Sequence, residues 1–242
     1  MTVILRQITT ALFLLSLSVG SFADDHGEEA TPVGAVYWLK VTNPDSFVSS
    51  LEKYWTSETG QANPGYAIVR EVLSAGESDA THSVAVVYPS YEAWDESNAL
   101  NSKSEAAAAF QREVQKSVEV RRTGMFEFTG YSFGDAETGN APATTLFYEL
   151  SVSDPGSYVD AFQQFMEAQP SASRAALYSL TATGDSGITH VLTISAGSLG
   201  TVMKNLRNDQ RGEAFEAFQK KVSGVRKVVG TYMTRDIAVF GL

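Results

Sequence analysis

The sequence contains no cysteine. That excludes a disulfide scaffold, a thiolate metal site, a cysteine nucleophile and a lipid-anchoring cysteine. Positive charge is also scarce. Lys and Arg total 18 against 28 Asp and Glu in 242 residues, a net charge of −10, which argues against a nucleic-acid partner, since a phosphate backbone demands a basic footprint. There is no glycine-rich phosphate loop, no G-x-S-x-G elbow, no H-E-x-x-H and no EF-hand pattern. With 7 prolines, 19 glycines and 43% hydrophobic residues, the chain is too apolar to be disordered or collagen-like.

What is present begins with an address. Arg6 is the one charge before an apolar run, Ala11 to Val19, and Ser21-Phe22-Ala23 puts small residues at −3 and −1. Basic start, short apolar stretch and small-residue cleavage site describe a secretory signal peptide over 1–23. The run falls short of the ~20 residues a bilayer span requires. Cleavage removes one arginine and no acid, so the mature chain is more acidic still. No later segment is apolar enough to span, so a periplasmic or secreted product is expected. An acidic leader, 24–33, follows and carries His26.

The rest is written twice. Thr81-His82 recurs 108 residues on as Thr189-His190, and at the same offset Glu105-Ala106 meets Glu213-Ala214 and Ala109-Phe110-Gln111 meets Ala217-Phe218-Gln219. Upstream the offset is 111: Tyr37 aligns with Tyr148, Val41 with Val152, Asn43-Pro44 with Asp154-Pro155. Ordered matches with one small gap indicate two homologous units, 34–134 and 144–242, joined by a Gly-, Asn- and Pro-containing linker over 135–143. The gap falls in a shorter loop of the second copy, between its first helix and second strand.

Each copy reads as strand, helix, two strands, helix, strand. Strands are predicted over 35–41, 66–74, 82–88 and 125–133, and over 146–152, 175–183, 190–195 and 230–240. Asn43 and Asp154 stand as helix N-caps ahead of prolines at the first helical position. Matched apolar stripes follow: Phe47, Val48, Leu51, Tyr54, Trp55 and Tyr158, Val159, Phe162, Phe165, Met166. Long helices are placed near 103–120 and 210–225, with less regular helical segments at 90–101 and 198–209.

That order defines an α+β fold of two tandem ferredoxin-like β-α-β-β-α-β units. It resembles the dimeric α/β-barrel superfamily in fused form, which includes antibiotic-biosynthesis-monooxygenase-like and stress-responsive A/B-barrel families. The resemblance covers nearly all the mature chain and implies two sheets facing each other to form an α/β barrel around a central cavity, helices outside. Its haem-degrading relatives use a histidine on the second helix, which 103–120 and 210–225 lack, so no cofactor is expected. Its cofactor-independent monooxygenases use Trp, Asn and Tyr around the cavity. Trp38, Tyr88 and Trp94 are available here, but their second-copy counterparts are Glu149, Ala196 and Val202.

Alternation along the strands then selects candidate residues. Tyr37, Leu39, Val41, Val84 and Val86, with their counterparts, face the helices. Trp38, Lys40 and Glu149 face the cavity. Arg70, Glu127 and Arg235 are charges inside otherwise apolar strands, which need partners or a lined cavity. These six are the ligand-binding candidates. His82 and His190 are either a symmetric pair of general bases or strand-entry residues bonded to a neighbouring turn. No carboxylate at ligand spacing accompanies either, so no metal site is expected.

Three readings of function follow. The first is an exported barrel protein, monomer or homodimer, that binds a small, partly aromatic molecule between its sheets, without necessarily transforming it. The second is a cofactor-independent monooxygenase or cyclase. The third is a structural or interaction protein of the cell envelope.

Overall fold

A computed structural model describes residues 31–134, 143–168 and 173–242. The expected signal segment, most of the acidic leader with His26, and all but the last residue of the expected linker lie outside the described residues.

The first half runs β1 (Val33–Val41), α1 (Pro44–Trp55), α2 (Glu58–Gln61), β2 (Tyr66–Ser74), β3 (His82–Tyr88), α3 (Tyr91–Asn101), α4 (Glu105–Val114) and β4 (Val118–Phe133). The second runs β5 (Thr144–Val152), α5 (Pro155–Ala168), β6 (Arg174–Ala182), β7 (His190–Ala196), α6 (Leu199–Asp209), α7 (Glu213–Val222) and β8 (Arg226–Phe240). The helix starts follow from their caps. Asn43 accepts the Ser46 amide at 3.1 Å, with Pro44 opening α1 where its missing N–H costs nothing. Asp154 accepts the Ser157 amide at 3.1 Å. Ser90 and Ser198 cap α3 and α6 in the same way, giving the irregular segments defined starts.

All pairings are antiparallel, and the strands close into one barrel in the order β1-β3-β2-β8-β5-β7-β6-β4. Strands of one half stay adjacent. The halves join at β2–β8 and β4–β6, so no strand is left with an unpaired edge. β4 and β8 each begin well before the sequence expectation, at Val118 rather than 125 and at Arg226 rather than 230.

Helices cover the outside. In the first half Phe47, Leu51, Tyr54 and Trp55 pack on Leu39, Val41, Ala67, Val69 and Val84. In the second, Tyr158, Phe162, Met166, Phe218 and Val222 pack on Leu150, Val152, Leu177 and Leu192. At about 1.5–3 kcal/mol per buried large apolar side chain, these two layers supply most of the stabilisation that the missing disulfides do not.

The repeated Thr-His dipeptide has a local structural role. Thr81 Oγ1 accepts the Val41 amide at 2.9 Å and lies 2.9 Å from His82 Nδ1. Thr189 does the same for Val152 and His190, both at 2.9 Å. Each threonine thereby ties the end of its half's first strand to the third.

Candidate functional site

The barrel lumen gathers residues from both halves. Trp38 on β1 and Phe147 on β5 come from strands diametrically opposite in the ring, yet their rings meet edge to face with centroids 6.1 Å apart. The lumen is thus crossed by side chains at mid-height. Tyr232 lies against Trp38 at 4.6 Å. Arg122 sits over both, its Cζ 5.4 Å from the Trp38 ring and 5.1 Å from that of Tyr232. Its guanidinium makes a two-pronged bond to Glu149, Nη1 to Oε2 at 2.9 Å and Nη2 to Oε1. Burial lowers the Arg122 pKa, but the hydrogen bond and charge of Glu149 more than offset it, so the net shift is upward. A second pair lies nearby: Arg70 Nε donates to Asp236 at 2.9 Å, with the guanidinium 5.7 Å above Phe147. Both arginines are therefore already matched by carboxylates and rings of the chain itself.

Of the six sequence candidates, the structure brings Trp38, Arg70 and Glu149 into this cluster. It does not bring in the other three. Lys40 reaches Asp79 at 3.0 Å on the surface. Glu127 accepts from Tyr91 on α3, outside the barrel. Arg235 pairs with Glu71 and is half exposed. Arg122, Phe147, Tyr232 and Asp236 were missed. Starting β4 at 125 left Arg122 outside any strand, although it is in phase with Gly124 and Phe126.

His82 and His190 face the helices, against Phe47 and Tyr158. Each threonine hydroxyl lies 2.9 Å from the histidine Nδ1 but 3.4–3.5 Å from the nearest carbonyl. Each hydroxyl donates to a first-strand carbonyl, Leu39 or Leu150, and sits against the histidine Nδ1. Burial lowers both pKa values; the negative charge of Glu71 partly opposes this at His82. Among the described residues no group of three or more His, Cys, Asp or Glu is placed to hold a metal ion.

Open space lies elsewhere: a shallow surface hollow of about 430 Å³ lies beside Thr59, Leu100 and Ser104 in the first half, and a more enclosed cleft lies between the helices and the sheet of the second. The cleft, of about 170 Å³, is walled by Phe162, Phe165, Phe215, Phe218, Met166, Leu192 and Ile194, with Asp209, Gln210, Gln219 and Arg226 supplying the polar contacts. Phe165 and Phe218 stack with centroids 5.1 Å apart. At the corresponding place in the first half, α2 docks through Thr59 onto Ser104 at the start of α4. Tyr54, Asn63, Ser97, Asn101 and Tyr88 fill the remaining space with a hydrogen-bonded chain. The shorter loop of the second copy lacks the sequence of α2, and its phenylalanines cannot replace that polar network. Tyr158, behind the cleft, has its hydroxyl pKa pushed up to about 12 by burial, against the opposing charge of Arg226. Haem, raised by the family resemblance, does not fit this space. No histidine lines it, and its volume is near the ~150 Å³ of a cavity that takes one benzene.

The described residues thus form an antiparallel α/β barrel with a self-neutralised lumen and an apolar cleft under the helices of the second half. No family model matches the chain, and no curated protein matches it in sequence. Solved structures do match in shape. A putative monooxygenase from Fusobacterium nucleatum superposes with a TM-score of 0.57 at 14% identity, covering 87% of this chain and 94% of that one. An anthrone oxidase-like protein gives 0.55 at 10% identity, covering 88% and 93%. A mutant chlorite dismutase from Candidatus Nitrospira defluvii, in complex with cyanide, gives 0.56 at 11%, covering 88% and 92%. At these identities the likeness establishes the ferredoxin-like α+β fold and leaves activity to be argued from the site. No helix among the described residues is long and apolar enough to cross a membrane.

Proposed function

We propose that the chain is an exported tandem of two ferredoxin-like units that binds a small, partly aromatic molecule without transforming it. The binding site is the second-half cleft rather than the space between the sheets. One observation carries this: a cleft walled by phenylalanines lies under the second-half helices, where the first half has the hydrogen-bonded chain of Tyr54, Asn63, Ser97 and Asn101. A volume of about 170 Å³ suits one ring with a short substituent. Titration calorimetry with 3-phenylpropanamide, a neutral probe, tests it. Leu206 on α6 also lines the cleft; saturable binding that Leu206→Trp weakens at least tenfold and Trp38→Phe leaves unchanged supports the reading, and binding indifferent to Leu206→Trp, or none at all, removes it.

A second reading has its own support. Two of the structural neighbours are named putative monooxygenases, and the lumen places Trp38 beside the Arg122–Glu149 pair. Under this reading the lumen opens to a substrate and Trp38 orients it. Oxygen uptake in the presence of anthrone that disappears in Trp38→Phe favours catalysis; uptake no faster than without protein removes it.

A further inference from the structure

The polar part of the cleft narrows the ligand class, on the reading that the cleft is the binding site. Arg226 is the one cation among the residues that line it. Its Nη2 donates at 2.9 Å to the neutral amide oxygen of Gln219, and its Cζ lies 5.4 Å over the Phe218 ring. Its Nε is buried and has no hydrogen-bond partner. The buried hydroxyl of Tyr158 lies beside this arginine, whose charge and side-chain hydrogen bond both act on it. The partners of the guanidinium on the cleft wall are neutral, an amide oxygen, a phenol and a ring face, while Asp209 on the same wall has interactions of its own, and a buried donor is costly to leave unmatched. An acceptor with two oxygens in a plane matches the guanidinium fork in a way that a point charge or a hydroxyl does not.

We infer that the cleft takes a small aromatic carboxylate, its ring against Phe162, Phe165 and Phe218 and its carboxylate on Arg226. The apolar walls supply affinity for any compact ring, and the arginine supplies the preference for an anion. Without Arg226 the cleft still binds rings but no longer distinguishes acid from amide.

The test is a matched pair of probes, 3-phenylpropanoate and 3-phenylpropanamide, which differ in charge but scarcely in shape. Calorimetry on the full mature chain is expected to show the acid binding at least about tenfold tighter than the amide, the scale of a charge-assisted bond. Arg226→Gln is expected to abolish the acid's advantage, weakening the acid several-fold more than the amide. Raised salt is expected to weaken only the acid. Equal affinities for the two probes in the wild type overturn the inference while leaving the cleft reading intact. Arg226→Gln weakening both probes alike overturns it too, since that is what lost packing would do. Binding of neither probe sinks the cleft reading itself. Should Arg226→Gln fail to fold, the acid-to-amide ratio and its salt dependence in the wild type decide alone.

Discussion

Replacing Glu149 by glutamine should destabilise the barrel out of proportion to so small a change. The carboxylate is 7% exposed and bonded through both oxygens to Arg122, whose side chain is 30% exposed. The substitution keeps the shape and leaves the Arg122 charge in the lumen, still over Trp38 and Tyr232 but without its counter-charge. Removing one partner of a buried pair costs about 3–5 kcal/mol. Water reaches part of the guanidinium and the two rings retain some attraction for it, so the lower end, about 3 kcal/mol, applies here. For a chain of this size that lowers Tm by roughly 6–12 °C. The double variant Arg122→Met with Glu149→Met removes both charges and should recover to within about 1 kcal/mol of wild type, because an apolar pair avoids the desolvation that the ion pair must offset. Urea unfolding of wild type, both single methionine variants, the double variant and Glu149→Gln measures the coupling. A Glu149→Gln midpoint unchanged from wild type, or single losses that simply add in the double, would refute the reasoning.

Both histidines are held below the ordinary imidazole pKa by burial, so below about pH 6.5 the unfolded chain binds more protons than the folded one. Stability is then complete above that pH and lost as pH falls towards the folded-state values; urea midpoints at pH 7.5 and 5.5 should differ, less so in His190→Asn than in His82→Asn, where Glu71 already offsets part of the shift. A methyl group on Gly34 would stand 2.3 Å from the Val86 carbonyl and 2.5 Å from the Phe126 ring, so Gly34→Ala should cost about 1–3 kcal/mol by overpacking, read by thermal denaturation. Thr189→Val strips the Val152 amide and the His190 ring of their shared partner, an expected loss of about 1–3 kcal/mol in the same assay.

The duplication was legible because its markers are local. The Asn-Pro and Asp-Pro caps, the helical stripes and the Thr-His dipeptides each act within a few residues of themselves, and they align without any knowledge of the fold. Strand alternation likewise placed Trp38 and Glu149 inward. It failed at Lys40, which turns to Asp79 at the surface, whereas Glu127 and Arg235 were chosen as charges within apolar strands and stand out of phase with the inward-facing Arg122 and Asp236 of their own strands. Arg122 was hidden differently. The run Glu119-Val120-Arg121-Arg122 is too polar to read as strand, yet Arg121 and Glu119 answer each other and Asp79 on the surface while Arg122 alone turns inward. Its pseudo-symmetric position is Gly230, and Gly124 stands opposite Tyr232. Complementary rather than identical residues therefore meet in the lumen, an arrangement open to fused copies because identical arginines there would repel. The cleft could not be read at all. Phe162, Phe165 and Phe218 look like any helical core stripe, and nothing in their spacing marks a gap between them.

The most direct measurement is a crystal structure of the mature protein grown with 3-phenylpropanoate. The account predicts density for the probe in the second-half cleft, ring on Phe218 and carboxylate on Arg226, with the Arg122–Glu149 pair intact beside Trp38. Density for the probe in the lumen, with that pair parted to admit it, would contradict the account.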